Sequence, residues 1–189
     1  MNERLRRWAA GLRRDWRRHL GTVALFAAVL LAVQGWQTRH VAGGPLPAAA
    51  LDASLPVRDA TGTLRQSSLR AELARLQQAH PGQNVGLYVW ADWCPICQTI
   101  QGTVDGLSAD HPILTVAMQS GPPDQVARYL QARSLAWHTL VDPRAQLSRA
   151  LGFGAVPAFA VITPQGDLRW PTVGLTSGWG LRLRLWLAR

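Results

Sequence analysis

The sequence contains no lysine, so its basic character comes entirely from arginine: 20 Arg stand against 11 Asp and Glu, for a net charge of +9. This excess is concentrated at one end. Residues 1–19 carry a net charge of +5, which leaves +4 for the other 170 residues. A nucleic-acid-binding domain usually gathers its basic residues on one face of the fold. No nucleic-acid partner is therefore predicted, and the basic segment needs another explanation.

Other absences exclude further kinds of site. No glycine-rich phosphate loop follows a predicted strand, since Gly152-Phe153-Gly154 leads into a strand rather than into a helix. The five histidines do not have the spacing of metal ligands. They are His19, His40, His80, His111 and His138. The sequence therefore predicts no cofactor and no metal site.

Charge is missing altogether from residues 20–36, LGTVALFAAVLLAVQGW. This length is at the short end of what spans a bilayer, and Trp16 and Trp36 flank it as interfacial aromatic residues do. Because arginines precede the run, we predict a transmembrane anchor over 20–36, with the basic segment 1–19 in the cytoplasm. A cleaved signal peptide and a buried core helix are the alternatives. The apolar run is not closed by a good cleavage site, which favours the anchor.

The chain after the anchor divides into a linker and a domain. Residues 37–54 are rich in Gly, Pro and Ala and predict a tether. Residues 55–189 predict an α/β domain with a mixed sheet, because apolar runs alternate with amphipathic stretches and a hairpin follows. The predicted strands are 85–90, 113–118, 158–162 and 168–173. In the tail from Leu181, LRLRLWL alternates as a strand does, whereas Thr176 and Ser177 upstream could cap a helix. A helix is predicted there chiefly because the fold implied by the motifs described below needs one at that place.

The two cysteines, Cys94 and Cys97, are separated by two residues. A disulfide across so short a loop contributes little stability, so the pair is better explained by reactivity. Cys94 falls where a buried strand meets a helix, and the helix N-terminus favours a thiolate. Pro95 suits the first helical position, and Trp93 can cover one side of the pair. We therefore predict that Cys94 attacks a disulfide and Cys97 resolves the mixed disulfide, in a pair that is not strongly oxidising.

A further motif is Val156-Pro157, directly before a predicted strand. A cis bond here would turn the Val156 backbone outward, where it could pair with an incoming peptide. From base frequencies alone the bond would be trans.

The run from Val89 to Cys97, with Val156-Pro157 some sixty residues later, resembles the thioredoxin superfamily over residues 55–188. The resemblance implies a thioredoxin-like three-layer fold with a mixed central sheet, and a cis Pro157 facing Cys94. The anchor is similar to that of the membrane-tethered TlpA-like branch. A narrower likeness, in residues 118–121 and 174–188, is to the suppressor-of-copper-sensitivity protein D group.

That narrower likeness implies a protein disulfide oxidoreductase with a single span in the bacterial inner membrane and its C-terminal domain in the periplasm. It would reduce disulfides of envelope proteins, receive electrons from a transmembrane thiol donor and be linked to copper tolerance. Alternatives are a thioreductase for apocytochrome c, a copper-binding module that uses Cys94 and Cys97 with Met118 as a further candidate ligand, and a redox-inactive interaction domain.

The chain departs from these relatives at two positions. Tyr88 stands where thioredoxins carry a buried Asp, and Ile100 where cytochrome c maturation proteins carry a Glu. The usual proton acceptors for Cys97 are therefore missing. Asp92, the nearest carboxylate in the sequence, and water are the two candidates for that role.

Overall fold

The computed structural model describes residues 2–41 and 43–188, without the side chains of 2–15, 17, 18 and 37. The side chains of the predicted basic segment 1–19 therefore lie mostly outside the described part. The chain forms two units, Met1–Gln37 and Thr38–Arg189. The helices are α1 Asn2–Thr38, α2 Ala48–Leu51, α3 Leu69–Ala79, α4 Pro95–Ser108, α5 Pro123–Ala132, α6 Gln146–Ala150 and α7 Gly178–Leu187. The strands are β1 Gly44–Pro45, β2 Leu55–Arg58, β3 Leu64–Ser67, β4 Val85–Trp90, β5 Ile113–Met118, β6 Thr139–Asp142, β7 Ala158–Ile162 and β8 Asp167–Val173.

The first unit is a single long helix. Within α1, residues His19–Trp36 have a mean hydropathy of 1.6, and none of this stretch is buried in the protein. An apolar surface of this length is costly in water. By length and composition the stretch is a candidate membrane span, a property that the predicted anchor over 20–36 shares with the signal-peptide alternative.

The second unit is built on an eight-stranded mixed sheet in the order β1-β8-β7-β4-β5-β6-β2-β3. At its centre β4 pairs in parallel with β5 and antiparallel with β7. The residues of β4 and β5 are all buried, as expected for strands covered on both faces. The predicted mixed α/β sheet is confirmed.

Alternate residues of the central strands contribute to two separate cores. Leu87 and Val89 pack in one core with residues of α3 and α6, whereas Tyr88 and Trp90 pack in the other with residues of α4, α5 and α7. Since successive side chains of a strand point to opposite faces, helices cover both faces of the sheet. This is the three-layer arrangement that the sequence predicted.

The C-terminal tail resolves the conflict between its two patterns. It is a helix, α7, and the Ser177 side chain caps it by accepting a hydrogen bond from the backbone N–H of Gly180 at 3.2 Å. Leu181 and Leu185 are buried four residues apart, on one helical face. The predicted helix is confirmed, and the alternation of Leu with Arg does not produce a strand.

The structure corrects the predicted linker. Residues 37–54 contain β1, which pairs with β8, and α2, and they bury Val41, Leu46 and Ala50 in the core. The domain therefore begins well before Leu55. The strand β6 was also not predicted from the sequence; it lies between β5 and β2 in the sheet.

Gly152, in the turn after α6, shows how closely the early segment packs on the domain. Its φ is +86°, and a Cβ there would lie 2.1 Å from the carbonyl oxygen of His40.

We expect Gly152→Ala to lower the free energy of unfolding by about 3 kcal/mol, because it places a side chain on a left-handed backbone and brings its Cβ into a clash with the main chain of His40. Chemical denaturation of the full chain in detergent measures this. Gly154→Ala is the matched control: no atom lies within 4 Å of its Cβ position. Equal effects of both changes would contradict the packing of His40 described here.

Candidate active site

The two cysteines lie where the central strand β4 passes into α4. The helix begins at Pro95, and Cys94 is its N-cap residue, with extended backbone angles (φ −90°, ψ 110°). Its sulfur takes the place of the usual capping oxygen, accepting a hydrogen bond from the backbone N–H of Cys97 at 3.2 Å. The sulfur thus lies at the N-terminus of α4, beside the backbone N–H groups of the first helical turn.

Both thiols are free, and neither is freely exposed. Cys94 has 4% of its surface accessible and Cys97 has none. Cys94 is the more accessible of the two, although it is less exposed than expected. The apolar side chains on either side of it, Trp93 and Ile96, are exposed instead. An attacking Cys94 is therefore surrounded by a partly apolar surface.

The Val156–Pro157 peptide bond lies against the reactive sulfur. This bond is cis, as the resemblance to thioredoxins implied, although most X-Pro bonds in proteins are trans. The Cys94 thiol donates a weak hydrogen bond to the carbonyl oxygen of Val156 at 3.8 Å. The next carbonyl along the chain, that of Pro157, accepts a hydrogen bond from the backbone N–H of Gly174 at 2.7 Å. The structure thus brings together the two motifs that are sixty residues apart in the sequence.

Trp93 and Asp92 are held by the loop after β5 and the start of α5. The indole N–H of Trp93 donates to the carbonyl oxygen of Gln119 at 3.0 Å. The carboxylate of Asp92 accepts a hydrogen bond from the Gln125 amide at 2.9 Å. Among the described hydrogen bonds none joins Asp92 to Cys97. The structure thus gives no support to Asp92 as proton acceptor for Cys97.

Cys97 lies instead in an aromatic environment. Tyr88 packs edge-on against Trp137, with ring centroids 5.8 Å apart, and Trp90 stacks on Tyr129 at 5.3 Å. Burial raises the pKa of the Cys97 thiol, and the neighbouring Cys94 thiol raises it further. The position of the second missing acid is occupied by Ile100, an apolar residue that is buried.

Comparisons with known proteins identify the family of this chain. The AhpC/TSA family matches residues 50–171, and the chain belongs to this family. A "Thioredoxin-like protein" of Haemophilus influenzae is 29% identical over 103 residues, a stretch that covers 54% of this chain and 61% of that protein.

Solved structures share the fold. Mycobacterium tuberculosis DsbF, in mixed oxidised and reduced forms, has a TM-score of 0.58 and 22% identity over 76% of this chain and 99% of its own. A secreted disulfide oxidoreductase from the same organism, homologous to Escherichia coli DsbE, has a TM-score of 0.54 and 17% identity over 75% and 99%. The expected membership of the thioredoxin superfamily is confirmed.

Proposed function

We propose that this chain is a membrane-tethered thiol-disulfide oxidoreductase that reduces disulfide bonds of proteins in the bacterial periplasm. The observation that carries the proposal is the Cys94 sulfur itself. It caps α4 through the Cys97 N–H and lies against the Val156 carbonyl beside the cis proline. This arrangement offers one sulfur for attack and holds a second for resolution.

The reaction proceeds by two exchanges. The Cys94 thiolate attacks a substrate disulfide, and the first substrate sulfur leaves as a thiolate. Cys97 then attacks the Cys94 sulfur, forms the Cys94–Cys97 disulfide and releases the second substrate sulfur. Val156 is placed for its backbone to pair with the extended substrate chain. Trp93, held on Gln119, and Pro95, at the first helical position, support the pair.

Three considerations support the proposed periplasmic location of the domain and the proposed direction of the reaction, reduction of substrate disulfides. Arginines precede the apolar stretch His19–Trp36, which favours a cytoplasmic N-terminus and a domain across the membrane. One structural neighbour is described as secreted. The residues between the cysteines, Pro95 and Ile96, carry no charge that would stabilise a thiolate further, so the pair suits a reductant rather than a strong oxidant. A transmembrane thiol donor is then needed to reduce the pair again, and the link to copper tolerance rests on the resemblance alone.

The geometry argues against the copper-binding alternative. Met118, the further candidate ligand of that hypothesis, is buried in the core on the other face of the sheet from Cys94 and Cys97. Cys97 has no accessible surface, and the Val156 carbonyl beside the cis proline lies against the Cys94 sulfur, so the approach of a copper ion to both thiols is blocked in this arrangement.

Trapping of substrates tests the proposal. In Cys97→Ala the resolving thiol is missing, so Cys94 should remain joined to its substrates in mixed disulfides. We expect the full-length variant, expressed in bacterial cells and alkylated on lysis, to migrate as several higher bands on non-reducing gels. These bands should collapse on reduction, and mass spectrometry should identify periplasmic proteins that contain disulfides.

The double variant Cys94→Ala/Cys97→Ala is the control and should give no such bands. Recovery of apocytochromes c alone would replace the proposed substrates with those of a cytochrome maturation thioreductase. If Cys97→Ala forms no mixed disulfide with any protein, the oxidoreductase proposal is wrong.

A further inference from the structure

The buried position of Cys97 opposes the formation of the thiolate that its proposed role requires. Cys97 has no accessible surface, and burial raises the pKa of its thiol. Attack on the mixed disulfide nevertheless requires the thiolate. Some nearby group must therefore stabilise negative charge on the Cys97 sulfur while resolution takes place.

Tyr88 is the polar side chain placed to do this. It lies on β4, is 1% exposed, and packs in the same core as Cys97. Its hydroxyl is fully buried and has no hydrogen-bond partner of ordinary geometry in the described part of the chain. A buried hydroxyl without a partner is costly, so its retention calls for a reason.

The sulfur of Cys97 supplies that reason. Burial, and after it the charge and the hydrogen bonding of Cys97, raise the pKa of Tyr88. Conversely, hydrogen bonding from the Ala91 backbone and, after it, from the Tyr88 side chain lowers the pKa of Cys97, against the larger effect of burial. A neutral thiol is a weak acceptor, which accounts for a Tyr88 hydroxyl that has no hydrogen-bond partner among the described residues while Cys97 is protonated. A thiolate is a stronger acceptor, so the contact tightens when charge develops.

Tyr88 can act only as a donor. Because its pKa is raised above that of an ordinary phenol, the hydroxyl stays protonated and is not a base for the Cys97 proton. This separates it from the buried carboxylate that thioredoxins carry at the same position, which could accept the proton.

Other titratable groups around Cys97 do not supply the same contact. At the N-cap of α4, the Cys94 thiol raises the pKa of Cys97. On α5 the Tyr129 oxygen accepts a hydrogen bond from the Gln101 amide at 2.6 Å, and the Arg133 guanidinium lies 4.7 Å above the Tyr129 ring. The residues that α7 and β7 bury in this core, Leu181, Leu185, Phe159 and Val161, are apolar.

We infer that Tyr88 donates its O–H to the Cys97 sulfur and stabilises the thiolate that resolves the mixed disulfide. The inference rests on the proposed oxidoreductase function. In the step, the Cys97–Cys94 S–S bond forms as the bond from Cys94 to the substrate sulfur breaks. The electron pair leaves on the substrate sulfur, and the proton lost by Cys97 passes to solvent or to that leaving thiolate. The substrate gains two electrons and the cysteine pair loses two, while Tyr88 keeps its proton throughout.

The test separates the two exchanges by their kinetics. The aromatic disulfide 5,5′-dithiobis(2-nitrobenzoate) releases one coloured thiolate when Cys94 attacks and a second when Cys97 resolves. The first phase depends on reagent concentration and the second does not. In Tyr88→Phe, with the full chain in detergent, we expect the second phase to slow about tenfold and its pH profile to move up by about one pH unit. The first phase should change less than twofold.

Tyr129→Phe is the matched control, because it removes a phenol from the same core whose oxygen is bonded to Gln101. Both of its phases should stay within twofold of the original chain. The thermal midpoint of Tyr88→Phe should be unchanged or raised, because the change removes an unpaired buried hydroxyl, so a misfolded variant would be recognised.

The outcomes distinguish this inference from the proposed function. An unchanged second phase in Tyr88→Phe, or an equal slowing of both phases, would overturn the role of Tyr88 while leaving the cysteine pair active. If the original chain releases no second thiolate, the cysteine pair does not close, and the proposed function fails with the inference.

Discussion

Cys94→Ser should abolish disulfide reduction, with a loss of about a thousandfold or more in rate. A serine hydroxyl is almost entirely protonated at neutral pH and is a poor nucleophile toward sulfur, whereas the thiolate is the attacking species in disulfide exchange. Loss of a covalent nucleophile produces effects of this order in other enzymes. The measurement is the rate at which the full chain in detergent, with dithiothreitol as electron source, reduces a peptide that contains one disulfide.

The same substitution should leave the fold intact, which makes the expected loss a chemical one. Cys94 caps α4 through its sulfur, and serine is among the preferred residues at that position. The far-ultraviolet circular dichroism and the thermal midpoint should therefore match the original chain. Cys97→Ala is the comparison: it should retain one attack per molecule and fail only in turnover. If Cys94→Ser kept a tenth of the original rate, Cys94 could not be the nucleophile.

The parts of the fold that the sequence predicted are those in which local patterns and burial agree. The strand β4 reads as a continuous apolar run because both of its faces are covered by helices. The start of α4 was predicted from Cys94 and Pro95, because a capping position and a first-turn proline are local signals. The reactive pair could therefore be placed at a strand–helix junction without any tertiary information.

The predictions that were wrong or missing depend on contacts between distant parts of the chain. Residues 37–54 have a loop-like composition, but β1 pairs with β8 more than a hundred residues later. The strand β6 is short, and its buried Asp142 does not suit a strand by composition. That carboxylate is satisfied by the backbone N–H groups of Gln146 and Ser148. Local composition could not predict either element, because tertiary pairing decides both.

The environment of Cys97 is a third case. The sequence identified Tyr88 only as the residue that replaces an expected acid, and it left Asp92 as a candidate. The structure ties Asp92 to Gln125 and places the Tyr88 hydroxyl in the core around Cys97. The strand period assigns Tyr88 and Trp90 to one face. It does not reveal that α4 covers that face with Cys97.

Glu72→Gln should lower the free energy of unfolding at neutral pH by about 3 kcal/mol, because it breaks a buried ion pair and leaves the positive partner behind. The Glu72 carboxylate has no accessible surface. It accepts two hydrogen bonds from the Arg65 guanidinium and one from the His138 ring, at distances from 2.5 to 2.7 Å. Glu72 lies on α3 and Arg65 on β3, so the cluster joins the hairpin formed by β2 and β3 to α3. Chemical denaturation of the full chain in detergent at pH 7 measures the loss.

The contribution of the Glu72 carboxylate should also be visible in the pH dependence of stability. Burial alone favours the neutral carboxyl, but hydrogen bonds from Arg65 and Ser67 and the charge of His138 outweigh it and lower the pKa of Glu72 to about 2. A carboxyl whose pKa is lower in the folded than in the unfolded state stabilises the fold at pH values above its unfolded pKa. That contribution is lost as the pH falls from about 4.5 toward 2. The original chain should therefore lose stability over this interval more steeply than Glu72→Gln.

Arg70→Ala provides the matched control on the same helix. Arg70 pairs with Asp52 at 2.7 Å, but both side chains are more than half exposed, so water screens the pair. Its removal should cost less than about 1 kcal/mol. Because Arg70 lowers the pKa of the exposed Asp52, the acid limb of the stability curve should change slightly, and much less than in Glu72→Gln. Parallel acid limbs for Glu72→Gln and the original chain would show that Glu72 does not keep its charge inside the fold. The Arg65–Glu72–His138 cluster would then not be what stabilises the link between the hairpin and α3 at neutral pH.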